Sequence, residues 1–279
     1  MKGLATVALL GMMLAPALTA AVAQDAPRVH IQVQGSTTVG PIADAFKEAI
    51  ERQDRNVSIT VNKTGSGDGA AALTDSRCDI ATMSRFMHEK EFKDAVAKGV
   101  LPVAHAVAMD GVCVILNPAN TVTGLTIEQL RDIYAGRITH WSQVGGPNLA
   151  IVPISRDTSS GTYETFHELV MNRQKMAQNV EYVSSNPQAK ARVETTSGAV
   201  AYVGLGFVDA KVRALQVNGV TPTRKTIASG TYPVSRPLFM FTNGYPTLGS
   251  PLHRFCTFHL TEAGQDIIED KGFVPLTDY

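Results

Sequence analysis

Residues 151–170 read IVPISRDTSSGTYETFHELV. The stretch opens on Ile151-Val152-Pro153-Ile154, a short apolar run suited to a strand, and closes on Tyr163, Phe166, Leu169 and Val170, spaced as one face of a helix. Between them lies Arg156-Asp157-Thr158-Ser159-Ser160-Gly161-Thr162, an arginine followed by small hydroxyl residues and a glycine where the helix should begin. The first turn of a helix has unpaired N–H groups and the positive end of the helix dipole, so a compact anion suits it. Strand, loop and helix in this order predict an α/β fold, with the loop at the carboxyl end of a strand.

Two more loops repeat the device. Val29-His30-Ile31-Gln32-Val33-Gln34 alternates apolar and polar residues and enters Gly35-Ser36-Thr37-Thr38. Pro41 then sits in a first helical turn, ahead of the stripe Ile42, Ala45, Phe46, Ala49 and Ile50. Val57 to Val61 leads into Gly65-Ser66-Gly67-Asp68-Gly69 and a short helix through Ala70 to Leu73, and the strand from Cys78 to Met83 ends at Ser84-Arg85. A serine or threonine ahead of a helix serves equally well as an N-cap, so each loop alone says little. Together, one of them led by an arginine, they predict several helix ends converging on one oxyanion.

A second set of elements follows. Val103 to Leu116 is a long apolar segment, interrupted by Asp110-Gly111, suited to carry the chain from one domain into another. Thr126-Ile127-Glu128-Gln129 is a capping box for a helix with Ile127, Leu130, Ile133 and Tyr134 on one face. Ala199 to Val203 reads as a buried strand, Pro237 to Thr242 as the return crossing, and Pro251 to Asp270 as helical, with Phe255, Phe258, Ile267 and Ile268 inward.

The 279 residues are 44% hydrophobic with zero net charge, enough for one large core or two medium ones and unlike a phosphate-backbone binder, so no nucleic-acid partner is expected. Lys2, the apolar run from Leu4 to Leu18 and Ala21-Val22-Ala23 predict a signal peptide over residues 1–23, cut before Gln24. No cysteine follows to take a lipid anchor, so a bacterial periplasm is the expected location. Cys78, Cys113 and Cys256 are odd in number and lack zinc spacing; no bridge is expected, and Cys113 reads as a buried thiol. GxSxG, HExxH and P-loop patterns are absent, since His167-Glu168 has Met171 where a second ligand would stand. No catalytic residue, metal site or cofactor is predicted.

In order along the chain, the motifs resemble those of the phosphate-binding proteins of Pst-type ABC importers, in the periplasmic binding-protein superfamily. Gly35-Ser36-Thr37-Thr38-Val39 is similar to the family's opening turn, Thr64 to Gly69 to its Gly-Ser-Gly-x-Gly turn, and Asp79 to Arg85 to its Asp-Ile-Gly-x-Ser-Ser-Arg strand end. Leu116 to Asn120 and Leu125 to Trp141 resemble its second lobe, Arg156 to Thr162 its Arg-x-x-x-Ser-Gly-Thr loop, and Ala201 to Gly206 a later glycine strand.

The resemblance implies a two-lobed α/β fold of type II periplasmic-binding-protein architecture, with an interlobe cleft and a two-stranded hinge. One lobe would hold residues 24–110 and 239–279, the other residues 111–238. It implies phosphate contacts from Ser36, Thr37, Thr38, Ser66, Gly67, Ser84, Arg85, Arg156, Ser160, Gly161 and Thr162, although Arg85 could pair with Asp79 or Asp157 instead. It also implies a monomer that delivers inorganic phosphate to membrane ABC permease subunits. Some members place an aspartate where this chain has Ser84, to accept the proton of hydrogen phosphate and exclude sulfate; by motif position Asp68 and Asp110 are the nearest carboxylates. The same fold also serves sulfate, molybdate or tungstate binding, or a phosphate sensor or adhesion protein. A phosphatase is the least favoured reading.

Overall fold

The computed structural model describes residues 28–277; the signal peptide expected over residues 1–23 lies outside them. The first elements are β1 (Val29–Gly35), α1 (Gly40–Gln53), β2 (Val57–Lys63), α2 (Ser66–Thr74), β3 (Ile80–Met83), α3 (Glu89–Ala97) and β4 (Pro102–Leu116). Then come β5 (Gly124–Leu125), α4 (Ile127–Tyr134), β6 (Val152–Arg156), α5 (Gly161–Leu169), β7 (Glu181–Val183) and α6 (Asn186–Thr195). The chain continues through β8 (Ala199–Gly204), β9 (Arg213–Ala214), β10 (Gln216–Val217), α7 (Arg224–Ala228), β11 (Ser235–Asn243), α8 (Pro251–Thr257) and α9 (Glu262–Asp270).

The main sheet runs β2-β1-β3-β11-β4-β8-β6-β7, with β9 beside β4. β1 pairs in parallel with both β2 and β3, as strands joined through helices must, and β6 pairs in parallel with β7 and β8. β4 is the long strand between the two sets. It lies antiparallel to β11 from Pro102 to Gly111, then antiparallel to β8 from Val112 to Leu116. Its neighbour changes at Asp110-Gly111-Val112, where the sequence interrupts its apolar run.

Two large cores flank that point. One joins Ile31, Val33, Ile42 and Phe46 to Val107, Leu238, Phe255, Phe258 and Phe273. Phe46 meets Phe255 and Phe258 edge to face, so the C-terminal segment completes the lobe that the N-terminal segment begins. The other core joins Val112, Val114, Leu130, Tyr134, Trp141 and Phe166 to Tyr202, Tyr232 and Val234. Tyr134 and Trp141 are buried because each has a carbonyl to bond: Tyr134 Oη donates to Ile154 O at 3.0 Å, and Trp141 Nε1 to Gly198 O at 3.0 Å. β4 and β11 carry the chain between the cores.

The capping box at Thr126 forms in full, with Gln129 N donating to Thr126 Oγ1 at 3.1 Å and Thr126 N to Gln129 Oε1 at 2.9 Å. Two sequence expectations change. On α1, Ala43 rather than Ala45 is among the fully buried residues. The C-terminal helical stretch divides into α8 and α9, because Thr261 caps a new helix by accepting from Gly264 N at 3.0 Å. The three cysteines are buried free thiols.

Burial lowers the His105 and His259 imidazoles, favouring their neutral forms, and neighbouring imidazoles add repulsion. The unfolded chain takes up those protons near pH ~6.5, so this contribution to stability is present above that pH and is lost as pH falls below it. His259→Gln should flatten the decline of Tm between pH ~7 and pH ~5, read from thermal melts; a slope equal to that of the parent protein would rule out this source.

Candidate functional site

The starts of α1, α2 and α5 meet where the two cores face each other. Ser36 Oγ accepts from Thr38 N at 3.1 Å and Val39 N at 3.3 Å, and Ser160 Oγ from Thr162 N at 3.2 Å and Tyr163 N at 3.3 Å. Ser160 therefore caps α5, Ser36 closes the turn that leads into α1, and each hydroxyl keeps its own proton to donate. Ser66 Oγ accepts from Ser84 N at 3.1 Å and lies 3.4 Å from Ser84 Oγ, which fixes the start of α2 to the end of β3.

Glycine is required where these turns press together. Gly65 has φ +133°, and a Cβ there would stand 2.4 Å from Ser159 Oγ. A Cβ on Gly161 would stand 2.6 Å from Ser66 Oγ and 2.8 Å from Ser84 Oγ. Gly67 N donates to Ser159 O at 2.9 Å, closing the same contact through the backbone. Ser66, Gly67 and Ser84 are thus brought against Ser160 and Gly161, residues 76 to 95 positions later in the sequence.

Beside them lies a hydrogen-bonded cluster of threonines, two arginines and an asparagine. Thr38 Oγ1 is 3.0 Å from Thr162 Oγ1, and Arg156 Nη2 donates to Thr37 Oγ1 at 3.2 Å. Asn186 Nδ2 donates to Thr37 Oγ1 at 3.1 Å and to Thr38 Oγ1 at 2.9 Å. Arg236 Nη2 donates to Thr162 Oγ1 at 2.9 Å. Each threonine oxygen receives an N–H; the Thr38 and Thr162 hydroxyls also bond each other, which uses one of their two O–H groups and leaves the other, with that of Thr37, to point at a further acceptor.

Arg156 is the unusual member. It is 1% exposed, donates to Val183 O, Ser184 O and Thr37 Oγ1, and makes no ion pair among the described residues. Its Nη1 is buried without a hydrogen-bond partner. Burial pulls its pKa down to about 10, so it stays a cation at neutral pH. A buried cation with an open N–H edge is costly unless an anion meets it.

Arg236, by contrast, is paired. Its Nη2 and Nε donate to Asp110 Oδ2 at 2.9 and 3.2 Å, and Leu205 N donates to Asp110 Oδ1 at 2.9 Å. Burial pushes the Asp110 carboxyl up, opposed by Arg236 and by the Leu205 and Gly111 amides. Asp68 is exposed in the first turn of α2, so of the two carboxylates named by motif position Asp110 is the buried one.

Arg85 stands apart from the other expected residues. Its guanidinium goes to Glu91 and Glu164, not to Asp79 or Asp157. Asp79 instead accepts from Gln32 N at 2.8 Å, and Asp157 from Ser159 Oγ at 2.7 Å. Asn186 and Arg236 join the cluster without being among the residues the resemblance implies. Ser185-Asn186-Pro187 reads as an ordinary helix start, whereas Arg236 inside an otherwise apolar strand was a legible sign of a buried charge.

Chemically, the arrangement offers a guanidinium, helix-terminal N–H groups and several hydroxyls to one compact acceptor. Such a set of donors is suited to an oxyanion. Among the described residues no group of three histidines, cysteines or carboxylates is arranged to hold a metal. Asp110→Asn would leave the Arg236 cation buried and uncompensated, so it should cost about 3–5 kcal/mol in urea unfolding. The double variant with Arg236→Met should recover part of that loss; no difference between the two would remove the pair from this role.

A model of the PBP superfamily domain matches residues 21–260. The phosphate-binding protein PstS of Borreliella burgdorferi is 31% identical over 255 residues, covering 88% of this chain and 89% of its own. That of Bacillus subtilis is 30% identical, covering 89% of this chain and 81% of its own. A Clostridium perfringens ABC transporter substrate-binding protein crystallised with bound phosphate superposes with a TM-score of 0.82 at 31% identity, covering 88% of this chain and 99% of that one. An ABC-type phosphate transport receptor from Vibrio cholerae superposes with a TM-score of 0.72 at 33% identity, covering 88% of this chain and 99% of its own.

Proposed function

The chain belongs to the PBP superfamily, and on that premise we propose that it captures inorganic phosphate between its two lobes and delivers it to an ABC permease in the membrane. The observation that carries this reading is the buried, unpaired guanidinium of Arg156, whose Nη1 faces no protein acceptor. The names of the relatives supply the anion; Arg156 and the converging helix starts supply the means.

In this reading Arg156 grips the phosphate, and the amides of Thr37 and Gly161 with the hydroxyls at Ser36, Thr37, Thr38, Ser160 and Thr162 take its remaining oxygens. Ser66, Gly67 and Ser84 close the far side. Arg156, Asn186 and Arg236 each donate to a threonine oxygen, which leaves the Thr37 hydroxyl and one of the mutually bonded Thr38 and Thr162 hydroxyls to donate toward the anion. Asp110 acts through Arg236 on Thr162 and is the carboxylate nearest to reading a proton on the ligand. Arg85 is left to its carboxylates and reaches the anion only as a nearby charge.

The protein works as a binder and not as an enzyme, because the Ser160 oxygen is occupied as a helix cap and no imidazole hydrogen-bonds it among the described residues. The mature chain starts at Gln24 after export to the periplasm and acts as a monomer, with residues 24–110 and 239–279 forming one lobe and 111–238 the other. A second reading keeps the fold and changes the anion to sulfate, molybdate or tungstate. It is favoured by one observation: Asp110 already receives Arg236 and Leu205 N, leaving it less free to accept a ligand proton.

Isothermal titration on protein stripped by unfolding and refolding separates the two. Phosphate should bind with micromolar or tighter affinity and sulfate should give no heat; equal heats from both would move the reading to a general oxyanion binder. Arg156→Ala should weaken phosphate binding at least ~10-fold, the scale of a charge-assisted contact. Unchanged affinity would take Arg156 out of the site.

A further inference from the structure

We infer that Arg85 and His88 of one lobe and Glu164 of the other form an ionic clasp that holds the lobes together independently of any anion between them. Arg85 follows β3, His88 stands at the N-cap of α3, and Glu164 lies in the first turn of α5. The Arg85 Nη atoms donate to the two Glu91 carboxylate oxygens at 2.8 and 2.7 Å, and Nη1 also to Phe86 O at 3.0 Å. Glu91 in turn accepts from His88 N at 2.9 Å.

Contacts within its own lobe therefore fix the Arg85 side chain, which is 8% exposed. Its Nε edge is left over, and that edge makes an ion pair with Glu164 of the opposite lobe. His88 Nε2 adds a second contact to the same Glu164 oxygen at 2.6 Å. One guanidinium is thus shared between two carboxylates, one in each lobe. The Glu91 half exists before closure, and the Glu164 half forms only when the lobes meet.

Placement makes this more than a surface ion pair. Glu164 rides on the helix whose N-terminus carries Ser160, Gly161 and Thr162. A bare carboxylate there would repel an anion at the same helix end. Arg85 neutralises it and draws the start of α5 toward Ser66 and Ser84. Glu164 and Arg85 are thus positioning residues, acting on the site through the approach of one helix. Because opening must break the contact, the clasp raises the closed population and slows release of whatever is held.

The test begins without ligand. Fluorescent labels at Lys93→Cys on α3 and Arg173→Cys beyond α5 report the distance between the lobes, since both positions are exposed and the native cysteines are buried. In oxyanion-free buffer, Glu164→Gln should shift the single-molecule distance distribution outward. Rising salt should do the same to the parent protein and little to the variant. Arg85→Gln should match it, and the double variant should go no further than either single one.

An unchanged distribution and an unchanged salt response in Glu164→Gln would overturn the clasp. A second readout rests on the phosphate reading: release followed by stopped flow should be about fivefold faster in Glu164→Gln, while Glu89→Gln on the outer face of α3 leaves it unaltered. If the parent protein binds no phosphate, that reading fails, and the ligand-free distances still decide on the clasp.

Discussion

A guanidinium buried to 1% exposure, with one nitrogen lacking any protein acceptor, is the constraint around which the rest of this molecule is organised. Taking a cation out of water is expensive, and the backbone carbonyls of Val183 and Ser184 offset only part of that cost. An anion at that open edge would supply the remainder. The three helix starts around Arg156 are what an anion would find there: N–H groups and hydroxyls already held in place by caps and by neighbouring donors.

The fold supports this arrangement at the point where the chain passes between its cores. Asp110 on β4 and Arg236 on β11 are register partners across the two strands, and their ion pair sits where β4 changes neighbour from β11 to β8. Arg236 reaches on to Thr162, so the same side chain ties the crossing strands to the start of α5. A movement of one lobe against the other at this crossing would change the contacts of Thr162 directly. One side chain thus belongs both to the strand crossing and to the proposed anion site.

Legibility in the sequence followed the range of the interaction. Ile31 and Val33 announced a strand, Ile42, Phe46, Ala49 and Ile50 a helix face, and Thr126 with Gln129 a capping box, because each pattern is set by neighbours within one or two turns. The loops at Ser36–Thr38, Ser66–Gly67 and Ser160–Thr162 were visible for the same reason. Asn186 was hidden: its side chain serves Thr37 and Thr38, nearly 150 residues away, and nothing beside it in the chain hints at that use. Arg85 was visible and Glu91 lies only six positions beyond it, but its second partner was hidden, since Glu164 reaches it only across the meeting of the two lobes.

The amino-acid order alone determined that this is an α/β chain with two successive sets of strands and helices, and that its glycine, serine and threonine loops open helices suited to an anion. Those properties depend on local periodicity and on the unpaired amides of a helix end, both written in adjacent residues. Tertiary structure alone decided which charges were free. Arg85 acquired Glu164 and Arg236 acquired Asp110 from distant segments, while Arg156 was buried among carbonyls and hydroxyls and left with an open edge. Whether a buried cation needs a ligand depends on what surrounds it in space, and that is a property of the folded chain.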